Sequence, residues 1–280
     1  MSSADRGPHD CGSTDDIPGT GRDGGRRGAT NLGSVTSRGR LLVVVPSETD
    51  PPARLGEWLR TAGLELDERH LEQGDPLPGT LDEVDGLLVL GGPQSSLDDE
   101  ATSPELVGVR HLLGQALAAD LPTLAICLGA QLLAQVGGGR TRTGVDGPEV
   151  GATLVAKRDA ADTDPVFGPV PLSPDVIQWH HDEISELPRG ATLLAGNPHY
   201  PHQAFRVGEC VYGLQFHIET TPEMVRAWAG SDPVGVAASP LDVETLCLRA
   251  DAAHDDVAET WQPFAARFAD LVRARAGARA

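Results

Sequence analysis

A thiol at the corner between a strand and a helix is the first feature of this chain with the makings of chemistry. Leu124-Ala125-Ile126-Cys127-Leu128-Gly129-Ala130-Gln131 begins as strand-forming residues, reaches a cysteine and continues at once as a helix former. A sharp turn at that point holds the corner side chain clear of the sheet and aims the first unpaired N–H groups of the helix at whatever binds beside it. The positive end of the helix also favours the thiolate, which is the nucleophilic form. Ala125 and Gly129, two before and two after the corner, are small enough to let the chain turn. Taken alone, Cys127 reads equally well as a buried structural cysteine of an α/β core, since free cysteine is among the most buried residue types.

Further along, Val211-Tyr212-Gly213-Leu214-Gln215-Phe216-His217-Ile218-Glu219 is a short β-rich run ending in His-x-Glu. Residues i and i+2 of an extended chain share a face, so Glu219 can bond the ring nitrogen of His217 that does not face the cysteine. A nucleophile, a base and a carboxylate that fixes the base's tautomer are the parts of a catalytic triad. A lone His-x-Glu is an ordinary polar strand end. Joined to a cysteine corner in this chain order, it points to covalent catalysis by Cys127, His217 and Glu219.

These segments resemble the class I glutamine amidotransferases, whose nucleophile motif Cys-Leu-Gly-x-Gln stands here as Cys127 to Gln131 and whose His-x-Glu is His217 to Glu219. Leu87-Leu88-Val89-Leu90-Gly91-Gly92-Pro93 reads as a buried strand entering a glycine turn; by itself it is a surface turn, and in that family the turn supplies an oxyanion-hole donor. The resemblance therefore implies an oxyanion hole made by the Gly92 and Leu128 N–H groups, and substrate-binding roles for Pro93, Gln131, His180 and Asp182. It covers roughly Arg40 to Trp228 and is strongest to stand-alone chains similar to the amidotransferase domain of GMP synthase. Gly147 to Gly151, Trp179-His180-His181-Asp182 and Thr192 to Ala195 are further echoes. Ala125 and His181 depart from it, each where glycine is common.

Stepping outward to the elements that must hold these residues, strands are expected at Arg40 to Val45, Leu64 to Arg69, Gly86 to Leu90 and Thr123 to Cys127. Helices are expected near Ala53 to Thr61, Pro104 to Ala119 and Leu128 to Val136. Alternation of this kind predicts an α/β fold with a mostly parallel sheet flanked by helices, and reactive groups at the strands' carboxyl ends. The resemblance makes it the flavodoxin-like class I glutamine amidotransferase fold. From Gly151 to Phe216 shorter β segments, at Ala152 to Lys157, Val176 to Trp179, Thr192 to Ala195, Ala204 to Val207 and Cys210 to Gln215, predict an extension of the sheet and a small antiparallel lobe that together return His217 to Cys127. From Pro222 onward the pattern is helical, with Trp228, Leu246, Trp261, Phe264, Phe268 and Leu271 as packing residues. The expected division is a disordered tail over 1–38, poor in large apolar residues, an amidotransferase domain over 39–230, and a C-terminal helical extension over 231–280 packed on it.

The chain of 280 residues, 40% hydrophobic, is long enough for a sizeable core. Its net charge of −19 belongs to the folded part, because residues 1–40 hold six Arg against five Asp. So negative a surface argues against nucleic acid or an anionic membrane as partner. Cys11, Cys127, Cys210 and Cys247 are scattered, with no Cys-x-x-Cys pair, as suits a reducing compartment. The first apolar run, Leu41 to Val45, is too short and too late for a signal peptide, and a cytoplasmic protein is expected. His180-His181-Asp182 has no second pair at ligand spacing, so no metal site is expected. It reads either as a structural loop or, by resemblance, as the border of the substrate site.

The expected activity is hydrolysis of the glutamine side-chain amide to glutamate and ammonia through a γ-glutamyl thioester, with no metal or organic cofactor. In the family the ammonia passes to a synthetase, and no nucleotide-binding signature is visible here, so a separate ammonia-accepting synthetase is the implied partner. Two alternatives stay open: a γ-glutamyl hydrolase or transferase using the same residues on γ-glutamyl amines or peptides, and a non-catalytic regulatory module.

Overall fold

The structure is a computed structural model that describes residues 38–279; the expected tail over 1–38 lies outside the described residues except for Arg38. In chain order the elements are β1 (Arg40–Val45), α1 (Ala53–Thr61), β2 (Glu65–His70), β3 (Gly86–Val89), α2 (Glu105–Ala119), β4 (Thr123–Ile126), α3 (Leu128–Val136), β5 (Arg140–Thr143), β6 (Glu149–Leu154), β7 (Ala156–Lys157), β8 (Asp175–His180), β9 (Asp182–Glu186), β10 (Thr192–Gly196), β11 (Ala204–Val207), β12 (Val211–Leu214), α4 (Pro222–Ser231), α5 (Pro233–Ala238) and α6 (Val243–Arg279).

Eight strands form the main sheet in the order β2-β1-β3-β4-β12-β11-β10-β7. The first five run parallel and the last three are joined antiparallel. β1 shows why both faces are covered. Leu41, Val43 and Val45 enter one core with Trp261, Phe264, Phe268 and Val272 of α6, while Leu42 and Val44 enter the other with Leu112 and Leu113 of α2 and Leu133 of α3. Alternation with period two thus feeds two apolar layers from one continuous hydrophobic run.

Two glycine positions set how tightly the site can be built. A Cβ on Gly129 would lie 2.4 Å from the Val89 carbonyl oxygen, so only glycine lets α3 approach β3 this closely. The turn after β3 carries the other, Gly91, which recurs below.

The strand expected over Ala152 to Lys157 is two strands in different sheets. β6 pairs with β8, whereas β7 joins the edge of the main sheet beside β10, and the break falls at Val155, which turns into the main core while Leu154 stays exposed. β5 and β9 were not expected; they pair antiparallel to each other, and their polar residues carry no apolar alternation to signal a strand. His180 and Asp182, expected in a loop, close β8 and open β9 with only His181 between them. The expected extension of the sheet brings His217 back, because β12 lies directly beside β4 as a parallel neighbour, and the antiparallel β6–β8 pair then meets His217 at Ile177.

The C-terminal residues are part of the main core. Trp261, Phe264 and Phe268 are buried in it as expected, with Leu271 partly buried against them, while Trp228 and Leu246 are buried in a smaller cluster with Ile177 and Val225. α4 begins at a Thr221 N-cap that accepts from Met224 N, with Pro222 in the first turn. Among the described residues no helix is long and apolar enough to cross a membrane.

Candidate active site

The corner exists, and it is strained. Cys127 has φ 51° and ψ −109°, one of three non-glycine residues with positive φ among those described. Such a backbone costs on the order of 1–3 kcal/mol and is held only where its surroundings over-determine it. Here its N–H donates to Leu214 O of β12 at 2.8 Å, and its carbonyl accepts the Gln131 N–H of α3 at 2.9 Å. Strand pairing on one side and the helix on the other therefore lock the turn. The thiol points into a cavity of about 390 Å³, where its contacts are long: 3.7 Å to the Trp179 carbonyl and 4.0 Å from Gln215 Nε2.

His217 follows β12 and is fixed by an isolated bridge to Ile177 of β8, its N–H donating to Ile177 O at 2.8 Å. Its Nδ1 lies 2.6 Å from Glu219 Oε1, and the second Glu219 oxygen accepts the Ile218 N–H at 2.9 Å. Both side chains are buried. Nε2 is buried too and has no hydrogen-bond partner, so the ring is tied at one nitrogen and open at the other, which suits a base awaiting a proton. Burial alone would lower the proton affinity of His217, but the charges of Glu219 and Cys127 and the hydrogen bond with Glu219 hold it well above the ordinary imidazole value. Trp228 of α4 packs on the ring with centroids 4.7 Å apart and donates its Nε1–H to Thr49 O at 3.0 Å.

The turn after β3 completes the floor. Gly91 lies between three groups: a Cβ there would sit 2.9 Å from Asp50 Oδ1, 3.0 Å from His217 Cε1 and 3.5 Å from Cys127 Cβ. Gly92 lies next to Leu128, whose Cδ2 would be 3.4 Å from a Cβ on that glycine. Leu128 opens α3, so its N–H has no acceptor within the helix. Among the described residues neither the Gly92 nor the Leu128 N–H donates to a backbone acceptor.

Pro93, Gln131, His180 and Asp182 line the same cavity as Cys127 and His217, but they present different faces to it. Gln131 is buried and donates through Nε2 to Asp182 O at 3.0 Å and to Gln215 Oε1 at 3.4 Å. Both ring nitrogens of His180 are already engaged, by Asp182 O at 2.9 Å and Glu149 Oε2 at 3.0 Å; this imidazole shapes the wall. Ser95 donates to the Asp182 carboxylate. At the mouth, His181 Nε2 lies 2.8 Å from Asp232 Oδ2, and the same oxygen accepts from Trp179 Nε1 at 3.0 Å. Burial pushes Asp232 up, yet His181, the Gly235 N–H and Trp179 together hold it below the usual carboxylate range.

Sequence reasoning missed Asp50, Trp179, Ser95 and Asp232 as cavity residues and read Trp228 only as packing. Asp50 had one available signal, its place just past the carboxyl end of a parallel strand, where ligands gather in such sheets. Among the described residues no group of three or more His, Cys, Asp or Glu is arranged to hold a metal ion.

As chemistry, the arrangement can generate a thiolate, pass its proton to a buried imidazole and offer two N–H donors near the nucleophile. Comparison with known proteins agrees in kind. The family model described as glutamine amidotransferase class-I matches residues 59–227. The glutamine amidotransferase-like protein YfeJ of Salmonella typhimurium is 31% identical over 188 residues, covering 66% of this chain and 78% of that protein. The glutamine-hydrolyzing GMP synthase of Porphyromonas gingivalis is 33% identical over 160 residues, which are 57% of this chain but only 29% of the synthase. Gamma-glutamyl peptidase 3 of Arabidopsis thaliana is 29% identical over 153 residues, 54% of this chain and 60% of the peptidase. Among solved structures, a glutamine amidotransferase from Thermotoga maritima superposes with a TM-score of 0.73 at 27% identity, over 83% of this chain and 99% of that one.

Proposed function

Because the chain belongs to the class-I glutamine amidotransferase family, we propose that it hydrolyses the side-chain amide of glutamine to glutamate and ammonia by cysteine catalysis. The observation that carries this reading is the convergence of the strained Cys127 corner and the His217–Glu219 pair on one cavity. Cys127 Sγ attacks the amide carbon as its proton passes to His217 Nε2. The oxyanion of the tetrahedral intermediate is held by the Gly92 and Leu128 N–H groups, each worth about 3 kcal/mol to the transition state. His217 then protonates the departing ammonia, leaving a γ-glutamyl thioester. Water, deprotonated by the same imidazole, attacks the thioester and releases glutamate and the thiol. Glu219 keeps the Nδ1 proton in place and stabilises the imidazolium. Pro93, Gln131, His180 and Asp182 frame the part of the cavity that receives the amino-acid end of the substrate.

The ammonia acceptor is a separate synthetase in this reading, and its docking raises an otherwise slow glutaminase rate. Support comes from the likeness to part of a GMP synthase and from the long contacts of the resting thiol, which leave a catalytic rearrangement to be made. A second reading, hydrolysis of γ-glutamyl amines or peptides, is favoured by the likeness to a gamma-glutamyl peptidase. Glutamate release from glutamine and from γ-glutamyl amines, measured on the purified chain with and without cell extract, separates the two. Slow glutaminase activity stimulated by extract supports the first reading. Fast turnover of a γ-glutamyl amine by the chain alone, with glutamine poor and extract without effect, replaces it with the second.

A further inference from the structure

Asp50 is a carboxyl group without an assigned task in the middle of this site. It ends the short polar turn after β1, and that turn is built to hold it. Its N–H donates to Ser47 O at 3.1 Å, and Thr49 Oγ1, itself 3.0 Å from Ser47 Oγ, donates to Asp50 Oδ2 at 2.6 Å. The residue is only 6% exposed, and what exposure remains is toward the cavity it shares with Cys127 and His217. Oδ1 has no hydrogen-bond donor among the described residues. A Cβ on Gly91 would lie 2.9 Å from this oxygen and 3.0 Å from His217 Cε1, so the missing side chain leaves both atoms facing one small space. Glu219 occupies the Nδ1 edge of the same ring.

A carboxyl group that serves only to cap a turn needs neither this burial, which penalises its charge, nor an oxygen left without a donor beside an imidazole. The arrangement makes sense if the compensating charge comes and goes on His217. We propose that Asp50 is a positioning residue for the base: it holds the Cε1 edge of His217 while Glu219 holds Nδ1, so that the imidazolium formed when Cys127 gives up its proton lies between two carboxylates. This rests on the reading of His217 as the base for Cys127. The charged and titratable groups around Asp50 are His217, which favours its ionised form, and Glu219 and Glu72, which oppose it; Cys127 faces it across Gly91. Burial, the largest influence, pushes Asp50 above the usual carboxylate range, with His217 pulling the other way. The two groups are thus linked, and removing the anion must weaken the hold of His217 on its proton.

The test reads His217 directly. In the full-length chain carrying Cys127→Ala, the Cε1–H resonance of His217 is titrated by NMR, alone and together with Asp50→Asn or Asp50→Glu. The expected result is a midpoint lower by about one pH unit in Asp50→Asn, as for loss of an opposite charge at close range, and its recovery in Asp50→Glu. With Cys127 restored, Asp50→Asn should lower kcat for glutamate release more than it changes KM. Asp50→Ser, smaller and still polar, serves if the asparagine variant does not fold. An unmoved His217 midpoint in whichever variant folds overturns the proposal. Because the titration needs no substrate, a chain that fails to hydrolyse glutamine yet shows the shift refutes the proposed activity and leaves the role of Asp50 standing.

Discussion

β4 and β12 lie side by side, and a cysteine stands at each end of the pair. At the carboxyl ends, Cys127 faces the open nitrogen side of His217 in a cavity. At the amino ends, Cys210 precedes β12, and its thiol donates to Asp120 O at 3.0 Å and lies 3.6 Å from Asp120 Oδ1. Burial and the neighbouring carboxylate push the Cys210 thiol up to about 12. Two thiols at opposite ends of the same strand pair, one buried and one half-buried, therefore have opposite prospects. Each has a titratable neighbour: the imidazole can take a proton from the thiol, while the carboxylate only penalises a second negative charge. Fold position sets which neighbour is possible, because loops at the carboxyl ends of parallel strands converge, whereas the amino ends are stitched by helix-to-strand connections such as the one Asp120 caps.

The sharpest break of that comparison is to remove each sulfur in turn. Cys127→Ser should reduce glutamate release by at least about 10⁴-fold, on the scale of nucleophile deletions elsewhere, and abolish labelling by a glutamine-mimicking electrophile. Cys210→Ser should keep both, and peptide mapping that finds the label mainly on Cys210 or Cys247 would invert the assignment. Next in size is the orienting carboxylate. Glu219→Gln should keep the fold and lower kcat by about 10²- to 10⁴-fold, through a wrong tautomer or a loose ring; an unchanged kcat makes Glu219 purely structural.

A smaller effect is expected from making the inert end resemble the reactive one. Asp120→Asn removes the charge beside Cys210 but leaves it buried, so alkylation of Cys210 at alkaline pH should rise by about tenfold, the worth of one pH unit. Intact-mass kinetics checks this, and no rise means that burial alone silences that thiol. The smallest effect is on stability. Folding raises the proton affinity of His217 above its ordinary value of 6.5. The stabilisation it brings is whole below that value and is lost as pH climbs through the higher folded value. Urea midpoints of the parent and His217→Gln should therefore converge as the pH rises above about 6.5. Curves that stay parallel show that His217 gains nothing from its charge.

The reactive end of the sheet was the more legible half of the molecule. Cys127 and His217-Ile218-Glu219 sit in short contiguous signals, and β1, β3 and β4 are apolar runs that no other element would bury so completely. The local chain shows the corner, and the strand alternation shows that it ends at the carboxyl edge. What the sequence hid depends on long-range partners. β5 and β9 pair with each other, and with Ile184 as the one apolar residue that they send into the core, segments such as Arg140-Thr141-Arg142-Thr143 carry no alternation to read. Asp50 lies in the polar stretch Ser47-Glu48-Thr49-Asp50, which reads as a connection until β1 is known to lie next to β3. His181 and Asp232 meet across 51 positions of chain, a pairing that no local pattern signals.

A φ of 51° with ψ −109° is a conformation in which glycine is at ease and cysteine is not. At this one position the residue that would make the most durable protein differs from the residue that would make a working one. Cys127→Gly relieves the backbone by about 1–3 kcal/mol, set against the loss of a small buried side chain. If the strain is the larger of the two, Cys127→Gly unfolds at a higher urea concentration than the parent while losing glutamate release, and a lower midpoint shows that the turn is not strained.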